Sequence, residues 1–126
     1  MPKTIAEVLP DLGQYYGTLG YLRHRIVPVG PGLLLTDGAR YVAEEAGAYW
    51  LMDKVLLNAK EWLLEGNGFC VVELLVTDGK ALLEVSDGDE GRIHTEDIEF
   101  TDFPEPGIRF FLLDGDEPVL MLTSEY

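Results

Sequence analysis

Nine carboxylates fall between Glu84 and Glu105 with a single base, Arg92, among them. Such a cluster can hold a metal ion, pass protons between paired carboxyls, or attract a basic macromolecule. Calcium is the first to test, because Asp87-Gly-Asp-Glu-Gly91 and Asp114-Gly-Asp-Glu117 both put acids in turns. An EF-hand loop starting at Asp87 needs Gly at its sixth position and Glu at its twelfth, and the chain has Arg92 and Ile98 there. Hairpin turn chemistry accounts for both Asp-Gly pairs without an ion.

Other reactive groups are sparse. His24 and His94 are the only histidines and Cys70 the only cysteine, too few for a usual structural zinc site, and no cofactor is expected. Ser86 and Ser124 lack a nucleophile-elbow context, and Cys70 lies in an apolar strand where a thiolate is disfavoured. Glycines 17, 20, 30 and 32 form no phosphate-cradling loop. Glu44 and Glu45 are followed by Tyr49, Trp50 and Asp53, but adjacent helical residues point some 100° apart, which argues against a shared substrate. No catalytic residue is expected. The alternative is a small enzyme or ligand-binding domain built on Arg23, His24, Glu44, Tyr49 and Trp50.

Electrostatics is the stronger signal. Residues 64–126 hold sixteen of the 23 carboxylates against Lys80, Arg92 and Arg109, while residues 1–63 hold seven against six bases. The net charge of −14 therefore divides as −13 and −1. A segregated acidic half costs self-repulsion and points to a basic partner, whereas direct contact with nucleic acid or an anionic membrane is disfavoured. The expected partner-binding residues are Glu84, Asp87, Asp89, Glu90, Glu96, Asp97, Glu99 and Asp102. Same-face side chains on one strand stand ~6.6 Å apart against one phosphate per ~3.4 Å of a DNA strand, so mimicry of nucleic acid requires two neighbouring strands and their turns. The competing reading is a solvated face that keeps the protein soluble.

These residues need elements to position them, and 126 residues with 47% hydrophobic content are read as one domain, 1–126. No apolar run reaches the ~18 residues of a membrane span, the start has no signal-peptide pattern, and a single thiol fits a reducing compartment, so the cytoplasm is expected. Residues 3–16 predict a short helix stopped by Gly13 or Gly17, and residues 20–35 an extended segment broken by Pro28 and Gly30-Pro31-Gly32, with a brief strand at 32–35. Thr36 or Asp37 caps a helix in which Tyr41, Ala48, Met52, Val55, Ala59 and Leu63 share one face, as one helix or two joined at Gly47, with a left-handed stop at Gly66.

After Gly68 the period changes to that of strands. FCVVELLV and KALLEVS flank Asp78-Gly79, a two-residue hairpin turn. RIHTEDIEFTDF, IRFFLL and VLMLTS follow, and a bulge near Glu96 and Asp97 is needed to put Ile93, Ile98 and Phe100 on one face. The expected fold is α+β: an antiparallel meander of four to five strands covered on one face by a long central helix, plus a short N-terminal helix.

Thr36-Asp-Gly with the helix YVAEEAGAYWLMD, Ile98 to Pro104, and the ending VLMLTSEY resemble a family of small uncharacterised bacterial proteins met on chromosomes and mobile elements. Thr123 stands where that pattern has proline. The resemblance brings no catalytic or binding residues and implies an accessory or counter-defence role. The sequence thus leads to a non-enzymatic acidic module that binds a basic protein surface, inhibiting a DNA- or RNA-handling protein as a nucleic-acid mimic; a homodimer joined through a strand edge is the remaining reading.

Overall fold

The computed structural model describes residues 5–14, 21–25, 32–89 and 91–126. The expected stop at Gly17, the breaks at Pro28 and Gly30-Pro31, and Glu90 lie outside them. The chain runs α1 (Ile5–Val8), a 3-10 turn (Leu12–Gln14), β1 (Tyr21–His24), β2 (Leu33–Thr36), α2 (Asp37–Glu45), α3 (Tyr49–Glu65), β3 (Phe69–Thr77), β4 (Lys80–Ser86), β5 (Arg92–Ile98), β6 (Gly107–Leu113), β7 (Val119–Leu122) and a closing 3-10 turn (Thr123–Glu125).

The fold is α+β, but the sheet is larger than expected and is not a meander. Seven strands stand in the order β1-β2-β7-β6-β3-β4-β5. All neighbours are antiparallel except β2 and β7, which pair parallel with Leu34 opposite Val119. Two features lie behind the difference. The segment after β5 carries β6 past β4 to the free side of β3, where Phe69 meets Leu113 and Glu73 meets Arg109. The short β1–β2 pair then joins through β7. Four-residue strands interrupted by glycine and proline are weak sequence signals.

The helical region divides at Gly47, whose φ of 60° few other residues adopt readily, giving α2 and α3. Thr36 caps α2 by accepting from the Ala39 N–H at 3.2 Å. The expected left-handed stop at Gly66 is displaced: its φ is −88°, and Asn67 and Gly68 take the positive values of 55° and 93°. The Gly68 N–H bonds back to the Leu63 carbonyl at 2.8 Å. Gly66 is needed for a different reason, since a Cβ there would sit 2.3 Å from the Phe69 carbonyl oxygen. Asp78 and Gly79 have φ of 53° and 75°, the geometry expected of the hairpin turn.

The α2–α3 layer covers one face of the sheet. Leu51, Met52, Val55, Ala59 and Leu63 are buried with Leu33 and Leu35 of β2, Cys70, Val72 and Leu74 of β3, Leu83 and Val85 of β4, Phe110 and Leu112 of β6, and Leu120 of β7. The β5 bulge lies elsewhere than expected. His94 pairs with Val85 and Arg92 with Ser86, so Ile93 is the extra residue, and Ile93 and Ile98 both pack on the core. Phe100 does not join them and is 88% exposed.

One polar group is sealed into this layer. Glu125, only 5% exposed, accepts from the Thr36 hydroxyl at 2.5 Å and the Leu122 N–H at 3.0 Å through Oε1, and from the Gly38 N–H at 3.0 Å through Oε2. The carboxylate faces the first turn of α2, where backbone donors lack helical partners and the helix dipole favours negative charge. Gly38 is required, because a Cβ would lie 2.5 Å from Glu125 Oε1. Glu125→Ala leaves three buried donors unpaired and is expected to cost roughly 2–4 kcal/mol. Urea unfolding measures it as a lower midpoint at unchanged slope, and a loss within ~0.5 kcal/mol, the size of an ordinary surface substitution, contradicts the assignment.

Candidate functional site

Of the expected partner-binding residues that are described, all but Glu84, which lies on neighbouring β4, gather along β5, the outermost strand on its side of the sheet, and at its two ends. Asp87 and Asp89 lie in the turn entering β5, and Glu99 and Asp102 in the segment leaving it. Along the strand, Glu96 lies opposite buried Leu83 and so faces the helices, while Asp97 lies opposite Leu82 and faces away. The carboxylates therefore wrap the edge as a border and do not make one flat face.

Part of that border is already spent within the molecule. Glu84 lies 3.8 Å from the Arg92 guanidinium. Glu96 accepts from the Lys54 ammonium at 2.6 Å, with the His94 ring 3.5 Å away. That Lys54 hydrogen bond holds the Glu96 carboxyl below the usual carboxylate range, with His94 adding to it against the opposing effect of burial. Asp87 Oδ1 accepts from the backbone N–H groups of Asp89 and Gly91 at 2.9 and 3.1 Å, which shapes the turn. Asp89, Asp97, Glu99 and Asp102 are exposed and make no ion pair among the described residues.

The end of the sheet that holds Asp87 and Asp89 also holds the β6–β7 turn with Asp114 and Asp116, on the other side of the β3 start. These two acids were missed. The signal was present: both turns spell Asp-Gly-Asp-Glu, and β4 and β6 both run antiparallel to β3, so both end beside its start.

The alternative neighbourhood is only partly assembled. The His24 ring contacts Asp53 Oδ1 through Nε2 at 2.6 Å and lies 5.4 Å, centroid to centroid, from the Tyr49 ring. The Tyr49 hydroxyl reaches Glu44 Oε1 at 3.4 Å, and Glu44 accepts from Arg40 Nε at 3.0 Å. Burial first, and the Glu44 carboxylate second, push the Tyr49 hydroxyl above its ordinary value. Arg23 is turned to the opposite face, where it pairs with Glu117 at 2.7 Å. Trp50 instead lines a depression with Ile98, Phe100 and Asp102. Asp53, absent from the expected set, joins β1 to α3, and the group reads as a brace between strand and helices.

Cys70 is inert as a nucleophile. Its thiol is fully buried, donates to the Trp62 carbonyl at 3.2 Å, and is pushed up to about 11 by burial, with smaller effects from Asp87 and Glu65.

The motifs that meet around Glu125, Thr36-Asp-Gly and Ser-Glu-Tyr, are those that carried the family resemblance, and the match extends over residues 6–126. The chain belongs to the family of unknown function DUF6876. Searches of curated proteins and of solved structures find no match. No described helix is long and apolar enough to cross a membrane.

The lowered Glu96 carboxyl sets a pH dependence. A carboxyl held down in the folded state adds stability that is complete above its unfolded value and is lost as pH falls through the folded one. Both partners are about one-third exposed, so the effect is modest. Thermal melts between about pH 5 and 3 should show Lys54→Met losing stability less steeply than the parent chain. Parallel curves contradict the pairing.

Proposed function

We propose that this chain is a non-enzymatic acidic module that binds a basic protein surface through the β5 border. The reading rests on one observation: β5 is an edge strand, and Asp89, Asp97, Glu99 and Asp102 flank it without internal ion pairs. An edge presents unpaired backbone donors and acceptors to an incoming strand, and β-augmentation uses them. Negative flanks select the incomer. A copy of the same edge is repelled, because like charges directly opposite are unfavourable, whereas a segment carrying Lys or Arg is attracted and steered.

Mimicry of nucleic acid finds less support than simple binding of a basic segment. On the face bearing Asp97, β5 offers Thr95 and Arg92 as its other side chains, and Glu96 points the other way onto Lys54. A phosphate-like row is interrupted there. The partner favoured is a basic, extended protein segment.

Capture from lysate at low and at high salt tests this, using the parent chain beside Asp89→Lys, Asp97→Lys, Glu99→Lys and Asp102→Lys combined. A partner retained at low salt, released at high salt and lost on reversal is expected. A fourfold-reversed protein that is folded and keeps every partner sinks the proposal.

A further inference from the structure

The segment that leaves β5 carries an aromatic ring that the core does not use. Phe100, 88% exposed, is the most open large apolar side chain among the described residues. A loose loop does not explain it. The Thr101 N–H donates to the Gly79 carbonyl at 2.8 Å, and the Asp78 N–H donates to Glu105 Oε1 at 3.3 Å. Phe103 is buried, with its N–H on the Thr101 hydroxyl at 3.1 Å. Phe100 is therefore held outward by a segment pinned to the β3–β4 turn.

Phe100 shares a depression of about 290 Å³ with Trp50, Ile98, Thr101 and Asp102. Trp50 stands half-buried in the first turn of α3, and Ile98 is the last residue of β5. The walls are largely apolar and the rim is anionic. Asp102 is exposed and makes no ion pair among the described residues, and the same holds for Asp97 and Glu99 just before it. Two cations border the region and leave it negative. Lys54, one turn along α3 from Trp50, is committed to Glu96 at 2.6 Å. Lys80 lies with Asp97 and Glu99 in a second depression that shares Ile98, one cation against two carboxylates.

We infer that this depression receives an arginine side chain of the basic segment, its guanidinium lying against the Trp50 and Phe100 rings and paired with the Asp102 carboxylate. The inference rests on the β5 reading above and names what that border recognises. The two kinds of wall together select the occupant. An apolar side chain leaves Asp102 and its neighbours unanswered, an anion is repelled by them, and a hydrated cation held by carboxylates alone has no use for aromatic rings. A cation over an aromatic face is attracted by the ring quadrupole, and a carboxylate beside the ring adds Coulomb attraction. Arginine is favoured over lysine because its guanidinium is more weakly hydrated, stacks on aromatic faces and still offers a fork of donors to a carboxylate. Size points the same way. The depression falls just below the ~300–1,000 Å³ range of small-molecule sites, which suits one side chain better than a cofactor. A strand paired along β5 continues past Ile98 to this place, so edge and depression engage the same segment.

Calorimetric titration of the full chain with hexaarginine and hexalysine peptides, acetylated and amidated, tests this at low ionic strength, with tryptophan fluorescence read alongside. Trp62 is only 3% exposed, so a change in emission on binding reports Trp50. Hexaarginine is expected to bind more tightly than hexalysine and to alter the emission. Phe100→Ala removes no charge, yet should weaken hexaarginine roughly 3- to 30-fold and bring the two peptides to similar affinity. Asp102→Asn should also weaken hexaarginine, with far-UV circular dichroism of both variants unchanged. Equal affinity of the two peptides for the parent chain overturns the inference. So does hexaarginine binding that is indifferent to either folded substitution, or that leaves the emission unaltered. Peptides bound equally by the parent and Phe100→Ala chains but lost on fourfold charge reversal uphold the border and sink the depression, whereas failure of both peptides to bind the parent sinks both readings.

Discussion

Glu125 carries its carboxylate from the last turn of the chain into the first turn of α2, and the ordering of the helical layer depends on that contact. Thr36 ends β2 and caps α2, Leu122 ends β7, and one side chain accepts from all three neighbouring groups: the Thr36 hydroxyl, the Gly38 N–H and the Leu122 N–H. The two strands it joins, β2 and β7, form the only parallel pair among the described residues. Parallel neighbours cannot be linked by a tight turn, so their register has to be fixed by contacts distant in sequence. A buried carboxylate with three donors supplies such a contact, at the penalty that any lost donor is left unpaired in a dry site.

Holding α2 and α3 against one side of the sheet determines what the other side can be. The strands alternate, so every residue opposite a buried one is presented outward, and β3, β6 and β7 place Val71, Phe111 and Met121 there. Meanwhile the acids are displaced to β5 and the turns. The outcome is a division of surface: an outward side where apolar residues alternate with internally paired charges, and a β5 edge bordered by carboxylates.

Much of this was legible in the residues. Asp78-Gly79, Thr36 and Gly47 mark their turn, cap and break because each is a local decision, made by backbone sterics or a short hydrogen bond. The patterning of α3 likewise announces its buried stripe. What escaped were decisions made at long range. Nothing in IRFFLL says that it joins β3 rather than β5, since a strand carries no local record of its neighbour. Glu125 looks like any acid near a chain end until Thr36 and Gly38 surround it. The same limit applies to the border: Glu96 and Asp97 stand together among the expected partner-binding residues, but the alternation sends Glu96 to Lys54 and Asp97 outward, and the bulge at Ile93 shifts the parity at the start of the strand.

Methionine oxidation tests the division of faces most directly, because one methionine marks each side of the sheet. Met52 is fully buried under the helices and Met121 is half-buried on the side of the sheet turned away from them. With hydrogen peroxide and mass spectrometry of the folded chain, Met52 should resist while Met121 oxidises. Oxidation of Met52 as fast as that of Met121 would contradict the account.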